Sequence, residues 1–261
     1  MALSKMKNKL NNELAVCGFA AVKSLEKKNP DRITRLYFTA ERAPLFGGLC
    51  KKLAARKAPY NQVKDPVELE RLSGTVHHQG VVAMIEAPQI VRLNTDIVDE
   101  WIEKKQSALL LDRVGNANNL GAIVRSAAFF GMKNIVIPED EAQSSITTSS
   151  YRVAEGGMEF VNVYSIKSIP ALLEAVKDKM VRVGTAVDAK TPLSKLQLIC
   201  GQKPSLIILG NEEHGISDAV KSACDELIVI PTNARFNGHV APVESLNVAQ
   251  AASVILYEFY R

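Results

Sequence analysis

Five side chains in the second half of this chain are of types that bind and orient a substrate: Asn119, Arg125, Glu212, Ser245 and Asn247. Each follows a run that reads as a buried strand. "GNANNLGAIVRSA" comes after "SALLLDRV", "GNEEHGIS" after "LIIL", and "PTNARFNGHVAPVESLN" after "LIVI". Two amides, a hydroxyl, a carboxylate and a guanidinium can place a reacting group and steady charge that develops on it. The set has no His–carboxylate pair and no metal-ligand spacing. His77 and His78 lie far upstream, and His214 and His239 are isolated. Taken singly, each site residue also reads as ordinary helix capping: Asn119 for the helix "NLGAIVRSAAFFG", Ser217 for "SDAVKSAC", and Ser245 or Asn247 for the last helix. Asn119 and Arg125 are six residues apart, roughly 1.7 helical turns, so they share one end of a helix but not one face. Arg125 stands among Ile123, Val124, Ala127 and Ala128, a setting in which an arginine usually has a specific partner.

The elements that must position these residues alternate strand and helix. Strands read at 107–114, 133–140, 180–187, 204–212 and 225–232, and helices at 119–131, 168–179 and 217–224, with a further helix closing the chain. Continuous apolar strands between helices imply a mainly parallel sheet covered on both faces, and such sheets bind ligands beyond the strand C-termini. Gly115 and Gly121 do not complete a dinucleotide fingerprint, and no P-loop is present. Ahead of this lies a smaller α/β unit: strands at 33–39 and 80–88, helices at 45–57 and 68–74. "PQIVRLNTD" (88–96) reads as a linker, with Thr95 or Asp96 capping the helix "IVDEWIEKKQ". The expected division is 1–88, a linker and leading helix at 89–105, and 106–261.

Of the 261 residues, 47% are apolar and 23% charged, ordinary for a globular protein. No apolar run is long enough for a membrane span, no secretory signal is seen, and four scattered cysteines fit free thiols, so a cytoplasmic setting is expected. The net charge of +4 is uneven. Residues 1–88 hold 15 Lys/Arg against 8 Asp/Glu, and residues 89–261 hold 17 against 20. A basic front suggests a polyanionic partner, although a solvated lysine-rich surface would look the same.

Three motifs, "NLGAIVRSAAFFG" (119–131), "LIILGNEEHGIS" (206–217) and "IVIPTNARFNGHVAPVESLNVAQAA" (228–252), resemble in order and spacing those of the SpoU or TrmH-like RNA ribose 2'-O-methyltransferases of the SPOUT class. "GFAAVKSL" (18–25) and "HQGVVAMI" (78–85) resemble that family's L30e-like substrate-binding domain. The resemblance implies a C-terminal trefoil knot, a homodimer whose active site draws on both subunits, S-adenosylmethionine as methyl donor, and structured transfer or ribosomal RNA as substrate, with no metal. It places Asn119, Arg125, Glu212, Ser245 and Asn247 at catalytic positions. Leu209, Gly210, Ile230, Pro231 and Leu246 would hold the cofactor, with Thr185 lining the same pocket. The stretch from Pro231 to Ser245 is longer than the family's usual turn, and loop 232–244 is where cofactor contacts and substrate choice are expected to differ. Two other readings stay open here: a knotted RNA-binding or assembly protein without catalysis, and a nucleotide-dependent enzyme on an ordinary doubly wound sheet, which the missing glycine pattern argues against.

Overall fold

A computed structural model describes residues 12–232, 243 and 245–261, together with the backbone of 235–236 and 239–240. The basic opening stretch 1–11 and most of the 232–244 loop lie outside the described residues. The chain divides into two compact units, one comprising residues up to Gln89 plus Ile146–Phe160 and the other Ile90–Ser145 plus Val161–Arg261.

In the first unit, β1 (Glu13–Cys17), α1 (Phe19–Lys28), β2 (Ile33–Phe38), α2 (Gly47–Ala55), β3 (Tyr60–Gln62), α3 (Val67–Ser73) and β4 (Val81–Glu86) follow in order. The strands pair as β1-β4-β2-β3, with β3 on an edge. Alternation decides the faces of β2: Leu36 and Phe38 are buried while Arg35 and Tyr37 are half-buried. Gly74 ends α3 in the left-handed region, as its position predicts. His78 is a structural histidine; its Nδ1 accepts the Gly80 N–H at 3.1 Å, and burial pulls its pKa down.

The second unit begins with β5 (Val91–Arg92), α4 (Thr95–Glu103), β6 (Ala108–Leu111), α5 (Ala117–Phe130) and β7 (Asn134–Pro138). The chain then contributes Ile146–Phe160, with α6 (Thr148–Ala154), to the first unit, where Glu159 accepts hydrogen bonds from Asn29 at 2.5 Å and Arg32 at 3.2 Å. It returns as β8 (Asn162–Ile166), α7 (Ile169–Ala175), β9 (Val181–Thr185), β10 (Thr191–Pro192), α8 (Leu196–Cys200), β11 (Ser205–Leu209), α9 (Asp218–Ala223) and β12 (Glu226–Val229). A short antiparallel pair, β13 (Arg235–Phe236) and β14 (His239–Val240), precedes α10 (Val248–Tyr260).

Strands β5 to β12 form one parallel sheet in the order β10-β12-β9-β11-β6-β7-β8-β5. Every residue of β6, β7 and β11 is buried, because helices cover both faces. Ala108, Leu110, Leu206 and Ile208 pack with Trp101, Leu173 and Val220 on one face. Leu109, Leu111, Ile207 and Leu209, one residue out of phase, are buried toward the other. Each fully buried leucine or isoleucine contributes about 1.5–3 kcal/mol relative to exposure.

Three local expectations change. Asn94, not Thr95 or Asp96, caps α4, its side chain accepting the Ile97 N–H at 3.0 Å. Asn116 caps α5 through the Asn118 N–H, so Asn119 lies inside the first turn and its side chain is not the cap. The stretch read as a linker supplies β5, which pairs with β8 at the sheet edge.

Arg182 on β9 is buried and is neutralised by Asp225 just before β12, through contacts of 2.5 and 3.1 Å; the Asp225 carboxylate also accepts the Arg182 backbone N–H. These hydrogen bonds hold the Asp225 carboxyl below its ordinary value. Since the folded-state pKa is depressed, the stabilisation is complete above the unfolded aspartate value and is lost as pH falls through the folded one. Asp225→Asn should lower stability by about 1 kcal/mol near neutrality, since the Asp225 side chain is 41% exposed and its ion pair is screened by solvent. In urea unfolding at successive pH values, the gap to wild type should close as the solution is acidified.

Candidate functional site

The carboxyl edge of the large sheet carries the predicted residues on three segments. Past β6 the chain turns through Asp112–Asn116 into α5; past β11 it forms the loop Gly210–Ser217; and past β12 it runs through Ile230 and Pro231 toward α10. In the order β12-β9-β11-β6 the exits of β11 and β6 are adjacent, and that of β12 is one strand further along, across β9.

Three of the five residues are joined by hydrogen bonds. Asn119 donates from Nδ2 to Glu212 Oε1 at 2.5 Å, and its Oδ1 accepts from Asn247 Nδ2 at 3.2 Å. Asn247 caps α10, its Oδ1 accepting the Ala249 N–H at 2.9 Å. Capping and site membership are therefore not alternatives for Asn247: one end of its amide does each. Ser245 is exposed two residues earlier, beside Leu246.

Arg125 is exposed on a different face of α5 from Asn119, as the spacing predicts. Its apolar sequence neighbours Ile123, Val124 and Ala127 are buried on the opposite side, so they do not surround it. It shares an outer stripe with Asn118 and Phe129, at helical spacings of seven and four. Phe129 is 80% exposed; on α10, Val254 and Tyr257 are also exposed, and Phe130 lies edge-on to Tyr257 at 6.4 Å. Ser126 and Ser253 hydrogen bond at 2.7 Å where α5 and α10 meet.

Sequence reasoning missed the residues that hold these loops. Asp112 is only 2% exposed. Its Oδ2 accepts the Ser217 N–H at 3.3 Å and its Oδ1 the Arg113 Nε–H at 3.0 Å, which holds the Arg113 guanidinium above its ordinary pKa. Its own N–H donates to Leu209 O at 2.8 Å. Asn211 shapes the next loop, accepting the Glu213 and His214 N–H groups and donating to Arg113 O at 2.9 Å. Gln143 bonds both backbone groups of Val114. The only sequence sign of Asp112 is a carboxylate directly after an apolar strand. Among the described residues, no group of three or more His, Cys, Asp and Glu is placed to hold a metal ion, and no helix is long and apolar enough to cross a membrane.

The residues expected to hold a cofactor lie at the ends of β9, β11 and β12 and at the start of α10. Thr185 donates from Oγ1 to Ile208 O at 3.1 Å, tying two strand ends together. Gly210 has no room for a side chain, since a Cβ there would lie 2.2 Å from the Gly215 backbone. Leu209 is buried, Ile230 half-buried and Pro231 exposed, and Leu246 presents an apolar side chain that is 47% exposed. Apolar surface beside strand-end backbone groups suits an amphipathic ligand.

Comparison with known proteins agrees. The family described as SpoU rRNA Methylase matches residues 106–257, and that described as RNA 2'-O ribose methyltransferase substrate binding matches residues 15–91. A 23S rRNA (guanosine-2'-O-)-methyltransferase RlmB from Acinetobacter baylyi is 30% identical over 249 residues, covering 94% of this chain and 95% of the relative. An uncharacterized tRNA/rRNA methyltransferase from Haemophilus influenzae is 30% identical over 262 residues, covering 99% of this chain and 70% of the relative. In fold, the chain is similar to the SpoU methyltransferase AviRb from Streptomyces viridochromogenes, crystallised with AdoMet, at a TM-score of 0.70 and 22% identity over 98% of this chain and 92% of that one. An rRNA methyltransferase from Sinorhizobium meliloti is similar at a TM-score of 0.73 and 18% identity, over 99% and 91% of the two chains. With its family match spanning seven of the eight strands of the large sheet and the site on their edge, the chain belongs to the SpoU rRNA methylase family.

Proposed function

We propose that this protein is an S-adenosylmethionine-dependent RNA methyltransferase acting on a ribose 2'-hydroxyl, with ribosomal RNA favoured over transfer RNA by the names of its full-length relatives. The observation that carries the reading is the hydrogen-bonded chain Glu212–Asn119–Asn247 at the sheet's carboxyl edge, in a member of this family.

When bound, S-adenosylmethionine supplies an activated methyl group. Leu209, Gly210, Ile230, Pro231 and Leu246 would hold it, with Thr185 beside them. The protein's own task is placement of the hydroxyl and disposal of its proton. A ribose hydroxyl is a weak nucleophile at neutral pH, and charge on its oxygen must be stabilised as it reacts. Arginine, with a pKa above about 12, is unsuited to removing the proton. Arg125 instead holds an RNA phosphate and the developing oxyanion, and the proton passes to a phosphate oxygen or water. Asn247 and Ser245 orient the ribose, while Glu212 fixes Asn119 and, through it, Asn247.

The outer stripe of α5 and α10 supports a homodimer. Phe129, Val254 and Tyr257 are large apolar groups left exposed, and Arg125 lies one turn from Phe129. A second copy on this stripe brings one subunit's Arg125 toward the other's site. The resemblance also carries the trefoil knot, with α10 as its tail. The free thiols among the described residues support a cytoplasmic setting.

Arg125→Ala should abolish methyl transfer to RNA, while calorimetric affinity for S-adenosylmethionine stays within about twofold of wild type, worth about 0.4 kcal/mol. Retained turnover would refute the assigned role. Phe129→Glu with Tyr257→Glu should convert a dimer to a monomer in sedimentation, with loss of turnover; an unchanged sedimentation coefficient would remove the stripe as the interface.

A further inference from the structure

Between Glu41 and Asp65 the chain carries six basic residues (Arg42, Lys51, Lys52, Arg56, Lys57 and Lys64) and no acidic one. Helix α2 lies beside β3 in the first unit, and the lysines of the run are exposed on and around these two elements. Lys51 and Lys52 are exposed on α2, Lys57 is exposed in the turn that follows, and Lys64 is exposed just past β3. Two nearby acids are engaged elsewhere: Asp31 pairs with Arg56 at 2.9 Å, and Asp65 accepts the Val67 N–H at 2.9 Å at the start of α3. The four lysines therefore face solvent without a neutralising neighbour within the run.

Strand β3 lies between these charges. All three of its residues, Tyr60, Asn61 and Gln62, are exposed, Tyr60 by 41%. The strand pairs only with β2, leaving its other edge open. Lysines alone would serve as ordinary protection of a sheet edge. That role does not explain Lys51 and Lys52, which are on the helix, or an aromatic ring and two amides in a row on the strand. An aromatic face, base-edge hydrogen-bonding amides and flanking phosphate-binding cations are together what unpaired RNA requires.

We propose that α2 and the edge strand β3 form the surface on which the first unit grips unpaired nucleotides of its RNA, with Lys51, Lys52, Lys57 and Lys64 on phosphates and Tyr60 and Gln62, which share one face of the strand, on bases. The proposal rests on the RNA methyltransferase reading above. It assigns capture of substrate to a surface none of whose residues belongs to the site that carries Asn119 and Glu212.

The test uses the full chain and a fluorescein-labelled RNA hairpin with an unpaired loop, alongside a fully paired duplex of the same stem. Replacing Lys51, Lys52, Lys57 and Lys64 with Gln should make the slope of log affinity against log salt shallower by about 3, at roughly 0.7 per lost phosphate contact. Tyr60→Ala should weaken hairpin binding roughly tenfold, spare the duplex, and be rescued by Tyr60→Phe. Calorimetric affinity for S-adenosylmethionine should be unchanged in every variant, which shows that the second unit is intact. A control with Lys104, Lys177, Lys179 and Lys221 replaced by Gln should keep the wild-type slope. An unchanged slope in the first variant, or an equal loss in the control, overturns the proposal while leaving the methyltransferase reading in place. A wild-type protein that binds S-adenosylmethionine but neither binds nor methylates RNA overturns both.

Discussion

The carboxyl edge of the large sheet is organised around a single amide, that of Asn119, whose two ends are committed to two distant parts of the chain. Its orientation is dictated from α10 backwards. The Ala249 N–H must be satisfied at the helix start, and it takes Asn247 Oδ1. With its oxygen turned to the helix, Asn247 offers its NH₂ to Asn119 Oδ1, and the acceptor-only carboxylate of Glu212 takes the Asn119 NH₂. A carboxylate is the acceptor that suits the end of such a chain. An ordinary capping requirement thus helps to set the direction of the two amide donors in this chain.

That chain would be of little use if Glu212 wandered, and its loop is held from below. The buried Asp112 carboxylate grips the Ser217 N–H at one end of the loop, and Asn211 ties its middle to Arg113 O. A carboxylate so deeply buried is costly unless fully hydrogen-bonded, and Asp112 has both oxygens occupied. Gly210 completes the arrangement by sterics, since only a residue without Cβ lets the loop fold back on its own first residue.

Five of the sheet's eight strands were legible, the central ones because they are buried on both faces: "ALLL", "NIVIP" and "SLIIL" admit little else, whereas β5, β8 and β10 toward the edges were not read. Helix starts were legible to within one to three residues, and the errors have a common source. Asn116 and Asn119, like Asn94, Thr95 and Asp96, are all competent caps, and backbone geometry alone chooses among them. Strand β5 was hidden because two residues show no period, and Ile146–Phe160 because its partners lie in the other unit. Among site residues, Asn119, Glu212 and Asn247 were found through the family's motifs and are joined in the structure. Asp112 was invisible because its importance lies in burial, which no local pattern encodes.

Arg125, Glu212, Ser245, Leu246 and Asn247 are all exposed in the single chain. Hydrogen bonds and charges that stabilise an oxyanion are strong only where water is excluded, since the same interaction at about 4 Å falls from about 4 kcal/mol at an effective dielectric of 20 to about 1 in bulk water. A site this open is therefore unfinished until other surfaces close it. Two are implied by what the chain leaves bare: an apolar stripe through Phe129 and Tyr257, one turn from Arg125, and a polyanionic substrate for the guanidinium itself. On the proposed reading the exposure is a requirement of assembly: a site that a second copy and RNA would complete has its full electrostatic strength only when the substrate is in place.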